Sequence, residues 1–74
     1  KVYPNPVTSV LTVEHDFGDN LNYQLIDNQS RKILSGEKLT KKDQINVSYL
    51  MPGVYFLKLY GEKQAIKILK IIKT

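Results

Sequence analysis

The sequence contains no cysteine, no tryptophan and one histidine among its 74 residues. Without cysteine, no disulfide, cysteine-ligated zinc site or cysteine nucleophile can form. Apolar runs are only a few residues long, whereas a membrane-spanning helix needs about 20. The start of the sequence also lacks the pattern of a secretory signal peptide. Since domains commonly contain about 100 residues, these features predict a single domain over residues 1–74, with no membrane insertion.

The positive charge is concentrated at the C-terminal end. Basic and acidic residues balance over residues 1–57. The net charge of +4 therefore belongs to residues 58–74, where Glu62 is the single acidic residue among five lysines. Lysines on an edge strand prevent edge-to-edge aggregation. The same lysines suit an anionic partner or a receptor that adds a strand. Both interpretations stay open at this point.

Alternating apolar and polar residues predict β-strands. The expected strands are 10–13, 21–25, 31–35, 45–47, 54–59 and 64–72. Residues 21–35 predict a hairpin, because Asp27, Asn28 and Ser30 favour a turn that side chains can close. Residues 38–43 are expected to form a polar connection.

Pro52 and Gly53 predict a type II turn, because proline presets φ and glycine accepts a positive φ. Tyr55, which follows this turn, is similar to the tyrosine corner of immunoglobulin-like domains, where the hydroxyl ties a loop to the backbone. These features together favour an all-β fold, a small immunoglobulin-like antiparallel β-sandwich of about seven strands.

The last segment allows two interpretations. Lys67, Lys70 and Lys73 are three residues apart, which a helix would gather on one side. The isoleucines around them, the missing capping box and the preceding Gly61 favour a strand, with a bulge near Ile68 and Leu69.

No group of residues predicts catalysis. Ser9, His15 and Asp16 include the residue types of a triad, but one strand separates Ser9 from His15 by about 20 Å. Asp16 and Asp19 lack the spacing of an EF-hand calcium loop. The sequence therefore predicts neither an enzyme, nor a metal site, nor a cofactor.

Nucleic-acid binding is not favoured either. The five tyrosines are scattered along the chain, and the basic C-terminal end contains lysines without arginine. Lysine is a poor bidentate reader of bases and phosphates. We therefore expect no nucleic-acid partner.

Several short motifs occur in an order that is known from one family. They are Val2-Tyr3-Pro4-Asn5-Pro6, Leu11-Thr12-Val13, a strand ending in Asp27, Leu50-x-Pro-Gly-Val-Tyr-Phe, and Lys70-Ile71-Ile72-Lys73. In this order and over this length, the chain resembles the type A C-terminal sorting domain of type IX secretion (the Por secretion system family). One position departs from the family pattern, because Ser30 stands where a glycine is usual.

The resemblance implies a non-catalytic domain at the C-terminus of larger proteins that Bacteroidota export through the periplasm and across the outer membrane. The implied partners are the type IX translocon, a sortase-like cysteine peptidase that cleaves upstream of the domain, and a covalent passenger protein at its N-terminus. The passenger is expected to lie upstream of Lys1. It would be released or attached to anionic lipopolysaccharide at the cell surface.

The resemblance also assigns residues. Lys70, Ile71, Ile72 and Lys73 are the candidates for translocon recognition. The motif residues with a structural role are Pro4, Asn5, Pro6, Asp27, Pro52, Gly53 and Tyr55. An alternative from another class remains, an accessory immunoglobulin-like module or spacer of a surface enzyme that binds carbohydrate or protein, which coplanar exposed tyrosines would favour.

Overall fold

The described part of the chain forms seven strands in two antiparallel sheets in the computed structural model, which describes residues 1–16, 20–61 and 65–74, without the side chains of Ala65 and Ile66. The strands are β1 (Val2–Tyr3), β2 (Val10–Glu14), β3 (Asn22–Asp27), β4 (Lys32–Gly36), β5 (Lys42–Asn46), β6 (Gly53–Tyr60) and β7 (Ala65–Lys73). One sheet has the order β1-β2-β5, and the other has the order β4-β3-β6-β7. The predicted small immunoglobulin-like β-sandwich is confirmed.

Alternation along the strands builds the core between the two sheets. In β6, Tyr55, Leu57 and Leu59 are buried, while the residues between them are half-buried on the opposite face. Leu11 and Val13 of β2 face them from the other sheet. The core comprises Val7, Leu11, Val13, Leu21, Leu25, Leu39, Ile45, Val47, Tyr55, Leu57, Leu59 and Ile71.

The C-terminal segment is a strand, as its isoleucines predicted. The bulge does not lie near Ile68 and Leu69, where it was expected. The register instead shifts between two neighbouring pairs, Leu59 with Lys67 and Tyr60 with Ala65. The extra residue is therefore Ile66, and residues 67–73 alternate regularly. Lysines three apart need no bulge, because alternation simply places Lys70 on the opposite face from Lys67 and Lys73.

The connection between β4 and β5 differs from its prediction. It contains Leu39, which is buried and whose N–H donates to the Leu21 carbonyl at 2.8 Å. The fifth strand also begins at Lys42 rather than at Ile45, because it pairs with β2 along its whole length. A single leucine in a polar stretch carries no periodicity, so its burial was not predicted.

The predicted type II turn at Pro52 and Gly53 is wrong. Gly53 has a φ of 158° and is the first residue of β6, whereas a type II turn needs a φ of about 80°. The chain has already turned at residues 47–50, where the Leu50 N–H donates to the Val47 carbonyl at 3.0 Å. Gly53 therefore pairs with Lys73 as part of the sheet.

Candidate functional site

The opening and terminal motifs of the sequence lie against each other. The Asn5 side chain donates from Nδ2 to the Lys70 carbonyl at 2.9 Å, and its Oδ1 accepts from the Ile72 N–H at 2.9 Å. One amide group supplies a donor and an acceptor in the positions that a neighbouring strand would use. Asn5 therefore caps the outer edge of β7.

Val7 continues this cap toward the end of the chain. Its N–H donates to the Ile72 carbonyl at 2.8 Å, and its carbonyl accepts from the Thr74 N–H at 3.0 Å. Val7 forms a parallel bridge with Lys73 and is fully buried. Residues 5–7 thus cover the backbone edge of residues 70–74, and we call residues 4–7 together with residues 70–74 the clasp.

The two prolines of the clasp donate no backbone hydrogen bonds to β7. Pro4 and Pro6 are exposed, both follow cis peptide bonds, and neither has an N–H to donate. The contacts with β7 are accordingly made by the Asn5 side chain and the Val7 backbone. The sequence predicted the prolines as motif residues, but nothing in it placed them beside residues 70–74.

Alternation divides the four recognition candidates into two pairs. Ile71 and Lys73 are buried, with 3% and 7% of their surface exposed, and the Lys73 ammonium donates to the Thr74 carbonyl at 2.9 Å. Lys70 and Ile72 point outward, and Ile72 is 41% exposed. In this fold, a partner can therefore contact the side chains of Lys70 and Ile72.

Asp27 organises the turn between β3 and β4. Its Oδ1 accepts from the N–H groups of Gln29 and Arg31, both at 2.9 Å, and its Oδ2 accepts from Arg31 Nε at 2.7 Å. The Arg31 N–H does most to lower the pKa of Asp27, with the Gln29 N–H and the guanidinium adding to it against the effect of burial. The ionised carboxylate thereby closes the turn, as the sequence predicted.

Tyr55 forms the predicted tyrosine corner. Its hydroxyl donates to the Met51 carbonyl at 2.7 Å while the ring lies in the core. The bond ties the segment that contains Pro52 to the start of β6. Tyr55 therefore has a structural role in this fold.

A second polar pair joins β1 to β2. The Tyr3 hydroxyl donates to Glu14 Oε1, and this bond is the main cause that lowers the pKa of Glu14 and raises the pKa of Tyr3. Lys42 and Lys1 favour the ionised Glu14 as well, while burial opposes it. The pair helps to hold the short β1 at the edge of its sheet.

The residues considered for chemistry are not brought together. Ser9 and His15 flank opposite ends of β2, and His15 Nε2 lies 3.2 Å from the Leu39 carbonyl. Asp19 falls outside the described residues, so the Asp16 and Asp19 turn has no structural account. Among residues 1–16, 20–61 and 65–74, no three histidine, aspartate or glutamate side chains cluster as metal ligands.

The exposure of the five tyrosines bears on the carbohydrate-binding alternative. Of the five tyrosines, Tyr49 is largely exposed, at 63%, whereas the other four are half-buried or buried. They form no platform of exposed rings, so the carbohydrate-binding alternative gains no support. In the described part of the chain, no helix has the length and apolar character needed to cross a membrane.

Comparison with known families identifies the whole chain. A family model described as "Secretion system C-terminal sorting domain" matches residues 1–74. A comparison with curated proteins gave no match. The family match covers both halves of the clasp, the Asp27 turn and the Tyr55 corner.

Proposed function

Because the chain belongs to the family of secretion system C-terminal sorting domains of type IX secretion, we propose that it directs an upstream passenger through the type IX translocon across the outer membrane. As a sorting signal, the domain interacts with the type IX secretion machinery and leads to export to the cell surface or beyond it. The domain acts as a folded, non-catalytic signal over residues 1–74.

The family match carries this proposal, and the clasp indicates which surface of the folded domain a receptor would recognise. Asn5 and Ile72 are 67 positions apart in sequence but are hydrogen bonded in the fold. The opening and terminal motifs are therefore joined at Asn5, and Pro4, Pro6, Lys70 and Ile72 of these motifs are all exposed. A receptor can recognise both motifs as one surface only on the folded domain, because the two motifs separate when the chain unfolds.

The clasp also bears on how the terminal strand is recognised. Outward backbone groups of residues 70–74 already bond to Asn5 and Val7. A receptor that adds a strand by main-chain hydrogen bonds would first have to displace residues 5–7. We therefore propose that the side chains of Lys70 and Ile72, rather than the backbone of this segment, contact the translocon.

The later fate of the passenger is part of the proposal. β1 is an edge strand of the three-stranded sheet, so a passenger joined upstream of Lys1 leaves the sandwich at an edge. A sortase-like cysteine peptidase then cleaves before the domain, and the passenger is attached to lipopolysaccharide or released. The resemblance to the family supports this sequence of events.

Export of a reporter tests the function. A fluorescent protein carrying a Sec signal is fused upstream of residues 1–74 and expressed in a type IX-competent strain. We expect the reporter in the medium or on the cell surface, and in the periplasm when residues 1–74 are removed or when the translocon is deleted. Retention of the complete fusion in the periplasm of the competent strain would contradict the proposal.

A further inference from the structure

The face of the four-stranded sheet that points away from the core contains an apolar patch. Because Tyr55, Leu57 and Leu59 face the core, alternation turns Val54 and Phe56 outward. The register places Val54 opposite Ile72 and Phe56 opposite Lys70.

Two more apolar residues extend the patch. Ile26 of β3 lies opposite Phe56, and Ile68 of β7 lies opposite Lys58. Ile68 is 61% exposed. We call the outward-facing residues Ile26, Val54, Phe56, Ile68 and Ile72 the outer patch.

On the strands of this sheet, the charged side chains of the outward face are all lysines. Lys58 lies on the central strand β6 and Lys70 on the edge strand β7, while Lys32 of β4 lies opposite Ile26 of β3. The strands of this sheet contain a single acidic residue, Asp27, which is buried and bonded to Arg31. The outward face of the strands therefore presents lysines without a carboxylate.

The lysines around the apolar residues indicate which kind of partner could bind the outer patch. A second copy of the chain would bring the same lysines together, and like charges across an interface are unfavourable. A protein surface with an apolar centre and carboxylates at its rim is complementary to both the isoleucines and the lysines. In the described part of the chain, β6 pairs with the inner edge of β7 but no strand pairs with its outer edge along residues 65–69, which leaves peptide groups beside the patch that suit a protein partner.

We propose that the outer patch is the docking surface for an acidic-rimmed protein of the secretion machinery. The proposal rests on the proposed function and names the surface that performs it. Apolar contact supplies the binding energy at Phe56, Ile68 and Ile72, while Lys58 and Lys70 orient the partner. Through Lys70 and Ile72, the patch is continuous with the clasp.

Glutamate substitutions at matched positions test the patch in the reporter fusion. Ile72→Glu changes an isoleucine that is 41% exposed, and Val10→Glu changes a valine of β2, on the other sheet, that is 39% exposed. Ile68→Glu and Tyr49→Glu form a second pair, at 61% and 63% exposure. We expect export to fall about tenfold or more in both patch variants and to stay within about twofold in both controls.

Folding and function are separated by two measurements. Circular dichroism with thermal unfolding establishes that each purified variant is folded, and any unfolded variant is replaced by Ile68→Ser or Ile72→Ser with the same expected loss of export. Failure of the unaltered fusion to be exported counts against the proposed function. Normal export of the folded patch variants, or equal loss in patch and control variants, overturns the docking surface alone.

Two further arms identify the occupant. A photo-crosslinking phenylalanine analogue at position 68 is expected to crosslink to a translocon component, whereas the same analogue at position 49 is not. Lys58→Glu with Lys70→Glu is expected to reduce this crosslink, whereas Lys41→Glu leaves it unchanged. Binding of the purified chain to phosphatidylglycerol vesicles that is lost in Ile68→Glu, without a protein crosslink, overturns the proposal in favour of a lipid surface.

Discussion

At the scale of single residues, Ser30 occupies a backbone conformation that its type seldom adopts. Its φ is 65°, and its N–H donates to the Asp27 carbonyl at 3.1 Å. The Asp27 N–H also donates to the Arg31 carbonyl at 3.0 Å, so residues 28–30 form a three-residue loop, and such a loop is typical of a hairpin whose last loop residue is left-handed. The sequence identified the position, because glycine is usual there in the related family, but not that serine would keep the turn.

Replacing Ser30 with glycine is expected to stabilise the domain. A side chain at a φ of 65° is strained, and relief of that strain exceeds the additional flexibility that glycine gives the unfolded chain. We expect Ser30→Gly to raise the free energy of unfolding by about 0.5–1 kcal/mol, measured by urea denaturation.

The neighbouring turn residue provides the control for Ser30. Gln29 has no positive φ, so Gln29→Gly adds flexibility without relieving strain. We expect this variant to lose about 0.5–1 kcal/mol. Equal effects of the two substitutions would show that the conformation of Ser30 is not strained.

At the scale of elements, the sequence predicted β7 but not what covers it. The isoleucines predicted the strand itself, whereas the bulge expected near Ile68 and Leu69 lies at Ile66 instead. The contact with Asn5 was not predicted, since hydrogen bonds between segments 65 residues apart leave no local pattern. The sequence therefore predicted the residues of the clasp as two separate motifs.

Asn5 is the residue that tests the clasp. Asn5→Ala removes the donor to Lys70 and the acceptor for Ile72, two exposed hydrogen bonds. We expect a loss of about 1–2 kcal/mol in the free energy of unfolding, with faster hydrogen exchange at the Ile72 amide. Urea denaturation and amide exchange by NMR measure the two effects.

A second substitution separates the two hydrogen bonds of Asn5. Asn5→Asp keeps an acceptor for Ile72 but opposes the Lys70 carbonyl with a second oxygen, so we expect it to be destabilising as well. Asn28→Ala, at an exposed turn position, is the control. Unchanged exchange at Ile72 in both Asn5 variants would contradict the role of the clasp.

At the scale of the whole molecule, hydrophobic alternation predicted the fold class and most of the strands. It predicted a strand over residues 54–59 because Tyr55, Leu57 and Leu59 repeat every two residues, and these three side chains are the ones that β6 buries. Val7 and Leu39 were missed because each is a single apolar residue among polar neighbours, and only the assembled sheets show that both are in the core. The outer patch was missed for a related reason, since its members come from three strands whose register the sequence does not state.

The core of so small a domain supplies little stabilising free energy, and this limits which variants can test the terminal segment. A core of this size supplies about 3–5 kcal/mol, and replacing a buried isoleucine with alanine costs about 2–5 kcal/mol. Ile71, which is 3% exposed, belongs to that core, whereas Ile72 is 41% exposed. We expect Ile71→Ala and deletion of residues 70–74 to abolish the cooperative thermal transition seen by circular dichroism, while Ile72→Ala retains it. A cooperative transition in the chain that lacks residues 70–74 would contradict this expectation. If the transition is lost, the loss of export on deletion reports unfolding of the domain. Recognition by the translocon is then measured with substitutions at the exposed residues Lys70 and Ile72.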